Sequence, residues 1–156
     1  MRMVIIEGIG NTIMLVLIGF ALTAGLSVDI GPRYFYIVMN GWVFALVAYL
    51  ICYMIILLRE NRRQGAPFSR LLFGLQLHAD VDEREALISC RAGRIAYLAV
   101  IVNAGVDLWL LAVARIATAA SLITLDAYAF GCWLIIIMCI VANLSYLIAW
   151  SHAYLR

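Results

Sequence analysis

The sequence predicts an all-α fold, specifically an integral membrane four-helix transmembrane bundle. Of its 156 residues, 67% are hydrophobic and 13% are charged, whereas a soluble domain is about half apolar and about a quarter charged. A soluble chain of this length would leave much of its apolar surface in water. Four continuous apolar stretches are each about as long as the roughly 20 residues that cross the hydrocarbon core as a helix.

The first two spans are predicted to form an antiparallel helix pair. We expect the first at residues 7–28 and the second at 34–58, with Gly31 and Pro32 breaking the chain between them. Glu7 and Asn11 interrupt the early apolar run, so the first span is expected to be a retained helix rather than a signal peptide. This span holds glycines at positions 8, 10, 19 and 25. Glycines let neighbouring helices approach closely, so we expect this helix to be packed rather than lipid-facing.

The last two spans are expected at residues 95–117 and 127–150, joined by the short loop 118–126. Residues 59–94 form the long hydrophilic connection before them, which is too short for a catalytic domain. Asp82 and Glu85 have the spacing of a helix-start pattern. The helix that begins there is expected to run directly into the third span, so that residues 1–156 form a single transmembrane domain.

The arginines predict an orientation. All eleven basic residues are Arg, and seven of them lie in the connecting segment 59–94. Four spans place both termini on the same side as this segment, which adds Arg2 and Arg156, whereas Arg33 and Arg115 fall on the other side. Because basic residues are enriched in cytoplasmic loops, we expect both termini to be cytoplasmic in a multi-pass protein of the cell inner (plasma) membrane.

A motif precedes the third span. The triplet Asp-Glu-Arg at residues 82–84 is followed by Ile88, Ala92 and Gly93. Over about twenty residues this stretch resembles a group of small uncharacterised prokaryotic four-helix membrane proteins. It departs from their pattern at Arg91, where those proteins usually have Lys before Ala. The resemblance implies the same four-span architecture and no particular activity.

Asp107 is the main candidate for an intramembrane polar site. It lies twelve residues into the third predicted span, which places it about 18 Å deep and near the middle of a core about 30 Å thick. Asn103 lies one turn earlier and Arg115 two turns later, so together they form a polar stripe. Asp107 is interpreted as a helix–helix contact, paired with Asn143, Asn11 or Asn40, as a proton or cation site, or as a contact with a larger partner subunit.

Glu7 is a second ionisable residue within a predicted span. Residues 7–14, Glu-Gly-Ile-Gly-Asn-Thr-Ile-Met, resemble the first helix of small multidrug transporters, in which a membrane glutamate exchanges protons for cations. Those transporters are shorter and lack a long charged cytoplasmic segment, and Glu7 lies close to the inner end of its span. We therefore expect an interfacial Glu7 near Arg2 or Arg94.

The sequence carries no common catalytic pattern such as H-E-x-x-H, G-x-S-x-G or a Walker motif. The four cysteines have no metal-type spacing, so no cofactor and no metal are expected. A net charge of +2 is too small to indicate a nucleic-acid partner. We expect a non-enzymatic accessory or structural subunit whose partners are membrane lipids and other membrane protein subunits or a homo-oligomer. The alternative is a small oligomeric ion, proton or small-solute transporter or channel that uses Asp107.

Overall fold

The computed structural model describes residues 2–31, 34–63 and 83–155. In chain order its elements are α1 (Arg2–Thr23), β1 (Leu26–Gly31), β2 (Tyr34–Met39), α2 (Gly41–Arg63), α3 (Glu83–Ala119) and α4 (Ala127–Leu155). All four of these helices are long and apolar enough to cross a membrane. The predicted all-α class with four membrane-length helices is therefore confirmed.

The third helix is longer than its predicted span. α3 contains 37 residues and is therefore about 55 Å long, well beyond the roughly 30 Å of the hydrocarbon core. The expectation that a helix preceding the third span runs straight into it is confirmed. The predicted loop residue Pro32, the predicted helix-start residue Asp82 and residues 64–82 of the connecting segment lie outside the described residues.

A β-hairpin replaces the predicted end of the first span, residues 26–28, and the predicted start of the second. β1 and β2 pair antiparallel, with Leu26 opposite Met39 and Gly31 opposite Tyr34. The prediction of helix at residues 34–39 is wrong because this run, Tyr-Phe-Tyr-Ile-Val-Met, consists mostly of aromatic and β-branched residues that favour extended backbone. α2 begins at Gly41. The backbone carbonyl of the preceding residue, Asn40, accepts a hydrogen bond from the Val43 N–H at 3.0 Å.

The helices pack in the order α2, α1, α4, α3, so that α1 and α4 are the inner pair. In the most apolar 18-residue stretch of each helix, 22% of the α1 residues are buried within the chain, against 6% in α2 and 0% in α3. The two flanking helices therefore turn most of their apolar surface outward. Such surface is available to lipid or to another protein.

A small buried cluster joins three helices near the chain termini. It consists of Ile88 and Ala92 of α3 and Trp150 of α4, and Val4 of α1 packs against it. Two of these residues belong to the motif that precedes the third predicted span. Their role in this structure is to hold the N-terminal part of α3 against the inner pair of helices.

Candidate functional site

The first polar contact joins α1 to α4. The Asn143 side-chain amide donates to the Gly8 carbonyl at 2.6 Å and to the Thr12 hydroxyl oxygen at 2.9 Å. The Thr12 hydroxyl in turn donates to the same carbonyl at 2.9 Å. A Cβ at position 8 would lie 3.0 Å from two carbons of Leu147, so the glycine permits this close approach.

The second polar contact joins α1 to α2. The Tyr49 hydroxyl donates to the Gly10 carbonyl at 2.8 Å, and the Tyr53 hydroxyl lies 3.0 Å from Oδ1 of Asn11 and 3.4 Å from the Glu7 carbonyl. A Cβ at position 10 would overlap the Tyr53 ring. The expectation that the first helix is packed through its glycines is confirmed, because Gly8 packs against α4 and Gly10 packs against α2.

Neither tyrosine of this contact was predicted from the sequence as a site residue. Tyr49 and Tyr53 are four residues apart on one face of α2, and their rings stack with centroids 5.8 Å apart. The available signal was that a phenol within a span needs a hydrogen-bond partner for its hydroxyl. Two phenols on one helix face therefore indicate a polar surface on the neighbouring helix, which here is α1.

Aromatic rings from α1, α2 and α4 pack together near the C-terminal end of α1. Phe20 stacks on Trp42 with ring centroids 4.6 Å apart and meets Trp133 edge-on at 5.1 Å. Nearby, the Asn40 backbone N–H donates to the Gly25 carbonyl at 2.7 Å. The hairpin base is thereby fixed to the end of α1, and Asn40 has a structural role outside the helices.

Asp107 and Asn103 form a hydrogen-bonded pair within α3. The Asn103 amide donates to Oδ2 of Asp107 at 2.9 Å, and both side chains are half-buried. Seven of the nine half-buried positions between residues 96 and 117 recur at alternating spacings of three and four residues, which is the pattern of a helix packed along one neighbour. Those in the heptad pattern are Ala96, Val100, Asn103, Asp107, Leu110, Ala114 and Ala117. Because α3 packs along α4, the pair lies on the seam between these two helices.

The structure does not bring Asp107 to the asparagines that were its predicted partners. Ala92 and Trp150 belong to one buried cluster, and the two helices run antiparallel, so Asp107 lies about level with Ile135 of α4. Asn143 is eight residues from that level, or about 12 Å along the axis, and it bonds to α1 instead. Asn11 and Asn40 are likewise engaged elsewhere, with Tyr53 and at the hairpin base.

The remaining predicted site residues are separate from this pair. Arg115 is exposed and forms no ion pair with Asp107 in the described part of the chain. The side chains of Glu7 and Arg94 are both exposed, and no ion pair joins them among the described residues. The side chain of Arg2, the other predicted neighbour of Glu7, lies outside what the structure describes.

The chemistry of the pair is that of a single carboxyl group with one amide donor. A carboxylate offers about four acceptor positions, so the one bond from Asn103 leaves capacity for a further donor from another molecule. Among the described residues, no group of three or more His, Cys, Asp or Glu side chains is arranged to hold a metal ion. The pair can therefore accept a further hydrogen bond within the span.

Comparisons of the chain with protein-family models, with curated proteins and with solved structures found no match. The class that the fold defines is that of a multi-pass helical membrane protein, on the length and composition of its four helices.

Proposed function

We propose that this protein is a non-enzymatic membrane subunit that packs against a partner membrane protein, or against copies of itself, along α3. The observation that carries the proposal is the half-exposed Asp107, which lies well inside a spanning helix and bonds to Asn103 of that same helix. A charged carboxyl at the middle of a lipid-facing helix costs about 2.5–3.5 kcal/mol on insertion scales. A polar group from a second chain would remove much of that cost.

The apolar surface around the pair supports the same proposal. Val106 lies one turn after Asn103 and Leu111 lies one turn after Asp107, and these two residues are 49% and 43% exposed. A polar side chain beside exposed apolar residues can form a hydrogen bond to a neighbouring membrane helix and strengthen the association. The flanking position of α3 leaves this face open for a partner.

The test is a pair of substitutions at one position. Asp107→Asn keeps a side chain that can form hydrogen bonds with Asn103 and a partner, whereas Asp107→Leu does not. For a subunit, we expect the Asn variant to retain its assembly in gently solubilised native membranes and the Leu variant to dissociate roughly 3- to 30-fold more readily, since such contacts contribute about 0.6–2 kcal/mol. Native mass spectrometry measures the assembly, and unchanged assembly of the Leu variant would contradict the proposal.

The second candidate is a small oligomeric transporter or channel for a proton, an ion or a small solute. It is favoured by the same carboxyl, because Asp107 is an ionisable group at intramembrane depth with an amide to orient it. A transport site needs ionisation, so both substitutions should abolish flux in proteoliposomes while the oligomer stays intact. Asp107→Asn therefore separates the two functions. A subunit carrying this substitution should still assemble, whereas a transporter carrying it should have no flux.

The orientation that accompanies this proposal has both termini in the cytoplasm of a cell bounded by its plasma (inner) membrane. It is supported by the excess of arginines in and around residues 59–94. In this orientation the β-hairpin and the turn between α3 and α4 face outward.

A further inference from the structure

A groove lies on the C-terminal end of α2. Its volume is about 690 Å³, and the described residues that line it are Ile55, Leu58, Arg59, Arg62 and Arg63. Positions 55, 58, 59 and 62 follow the spacing of one helix face. A single face of α2 therefore changes from apolar to cationic within about two turns.

The apolar end of the groove continues along the helix. Ile55 is 58% exposed, and the same face carries Ile51, Val47 and Phe44, which are 57%, 49% and 66% exposed. From Ile55 to Phe44 the helix rises about 16 Å, which is close to half of the roughly 30 Å hydrocarbon core. This apolar track is thus long enough to lie alongside one acyl chain across one leaflet.

The cationic end of the groove has the chemistry of a phosphate site. Arg59, Arg62 and Arg63 are exposed in the last turns of α2, and Arg63 also lies 3.7 Å from Glu60. Arginine binds phosphate through two parallel N–H donors. The positions of Arg59 and Arg62, one turn apart on the groove face, allow both side chains to reach the same anion.

We propose that this groove binds one anionic phospholipid, with its phosphate on Arg59 and Arg62 and one acyl chain along the track from Ile55 to Phe44. The combination of charge and apolar length selects this occupant. An acidic peptide would match the arginines and leave the apolar track unused, and a zwitterionic lipid would bring its own positive charge close to them. The inference is independent of Asp107 and of the proposed subunit function.

The test is lipid titration of the purified full-length protein in neutral detergent, followed by native mass spectrometry. Phosphatidylglycerol should bind as one saturable adduct, and phosphatidylcholine should bind much more weakly. Each arginine near an anionic surface contributes about a fivefold gain in binding. The double variant Arg59→Gln/Arg62→Gln should therefore weaken phosphatidylglycerol binding roughly 25-fold.

The matched control removes the same charge elsewhere. Arg91 and Arg94 are exposed near the start of α3, and Arg91→Gln/Arg94→Gln should leave the saturable adduct intact. Equal losses in the two double variants would overturn a discrete site in favour of general attraction to the protein's positive charge. Equal binding of the two lipids in the wild-type protein would overturn it as well.

A further variant tests the apolar half while keeping all three arginines. Ile55→Trp fills the groove and should weaken phosphatidylglycerol binding at least several-fold, and it gives an answer even if the double variant fails to fold. Glycerol phosphate, which has the headgroup chemistry without acyl chains, should bind far more weakly than the lipid. Binding of glycerol phosphate as tightly as the lipid, or an unaffected Ile55→Trp variant, would show a simple phosphate site and contradict the proposal.

Discussion

Gly10→Ala is a direct test of the contact between α1 and α2. A Cβ at position 10 would lie 2.6 Å from Cζ and 2.9 Å from the hydroxyl oxygen of Tyr53, inside the 3.4 Å at which ordinary van der Waals contact begins. The Tyr53 ring must therefore move. Its hydroxyl then leaves the 3.0 Å contact with Asn11, so the substitution affects packing and a hydrogen bond together.

The expected loss of stability follows from three contributions. Overpacking of a closed contact costs about 1–3 kcal/mol, and a hydrogen bond between membrane helices contributes about 0.6 and at most about 1.7 kcal/mol. The higher helix propensity of alanine offsets about 1 kcal/mol of this. We therefore expect Gly10→Ala to lower the free energy of unfolding by about 1–4 kcal/mol.

The assay is reversible unfolding in mixed micelles of a mild detergent and dodecyl sulfate, followed by far-ultraviolet circular dichroism. Gly105→Ala is the matched control, because a Cβ at position 105 meets nothing within 4 Å and should be neutral or slightly stabilising. A second measurement repeats Gly10→Ala in a Tyr53→Ala background, where the loss should largely disappear. If position 10 behaves like position 105, or if the loss persists without the Tyr53 ring, the packing of α1 against α2 is not as described.

Two further predictions concern α4 and the orientation. Asn143→Leu removes the donors to Gly8 and Thr12 and should lower the free energy of unfolding by about 1 kcal/mol in the same assay; an equal effect in a Thr12→Val background would contradict coupling between the two side chains. Cys90 is free and exposed near the start of α3, so a membrane-impermeant maleimide should label it in inverted vesicles and not in intact cells. A Ser121→Cys variant in the turn after α3 should show the opposite pattern, and labelling of Cys90 from outside would reverse the proposed orientation.

Hydropathy predicts the number of helices in this chain because length and apolar content alone decide whether a helix can span a bilayer. The glycines of α1 predicted a packed helix for a similarly local reason, since a missing Cβ allows close approach whatever the neighbour is. The identity of that neighbour could not be predicted. Gly8 faces Leu147 and Gly10 faces Tyr53, and nothing in the local sequence of α1 distinguishes these two partners.

The hairpin shows where apolar content fails as a predictor. Residues 34–39 are also apolar, so a hydropathy average joins them to the helix that follows. The distinguishing signals are the enrichment in aromatic and β-branched residues and the Gly31-Pro32 pair before them, which are typical of strands joined by a turn. The pairing of Asp107 with a distant asparagine failed for another reason: axial register between helices depends on packing at their ends, here on Ala92 against Trp150.

The polar groups of α1 and the Asp107 carboxyl of α3 have different hydrogen-bond partners. Substitutions in these two helices should therefore affect different properties of the protein. In α1, the described hydrogen bonds of Asn11, Thr12 and the Gly8 and Gly10 carbonyls are made to α1 itself, α2 and α4, so substitutions there should act on the fold of the single chain. The Asp107 carboxyl of α3 is bonded within its own helix and is half-exposed. A substitution at this position should leave the contacts of α1 intact and act on α3, both where it meets α4 and where another molecule approaches it from outside the chain. Unfolding and assembly, measured on the same variants, should therefore respond to different helices.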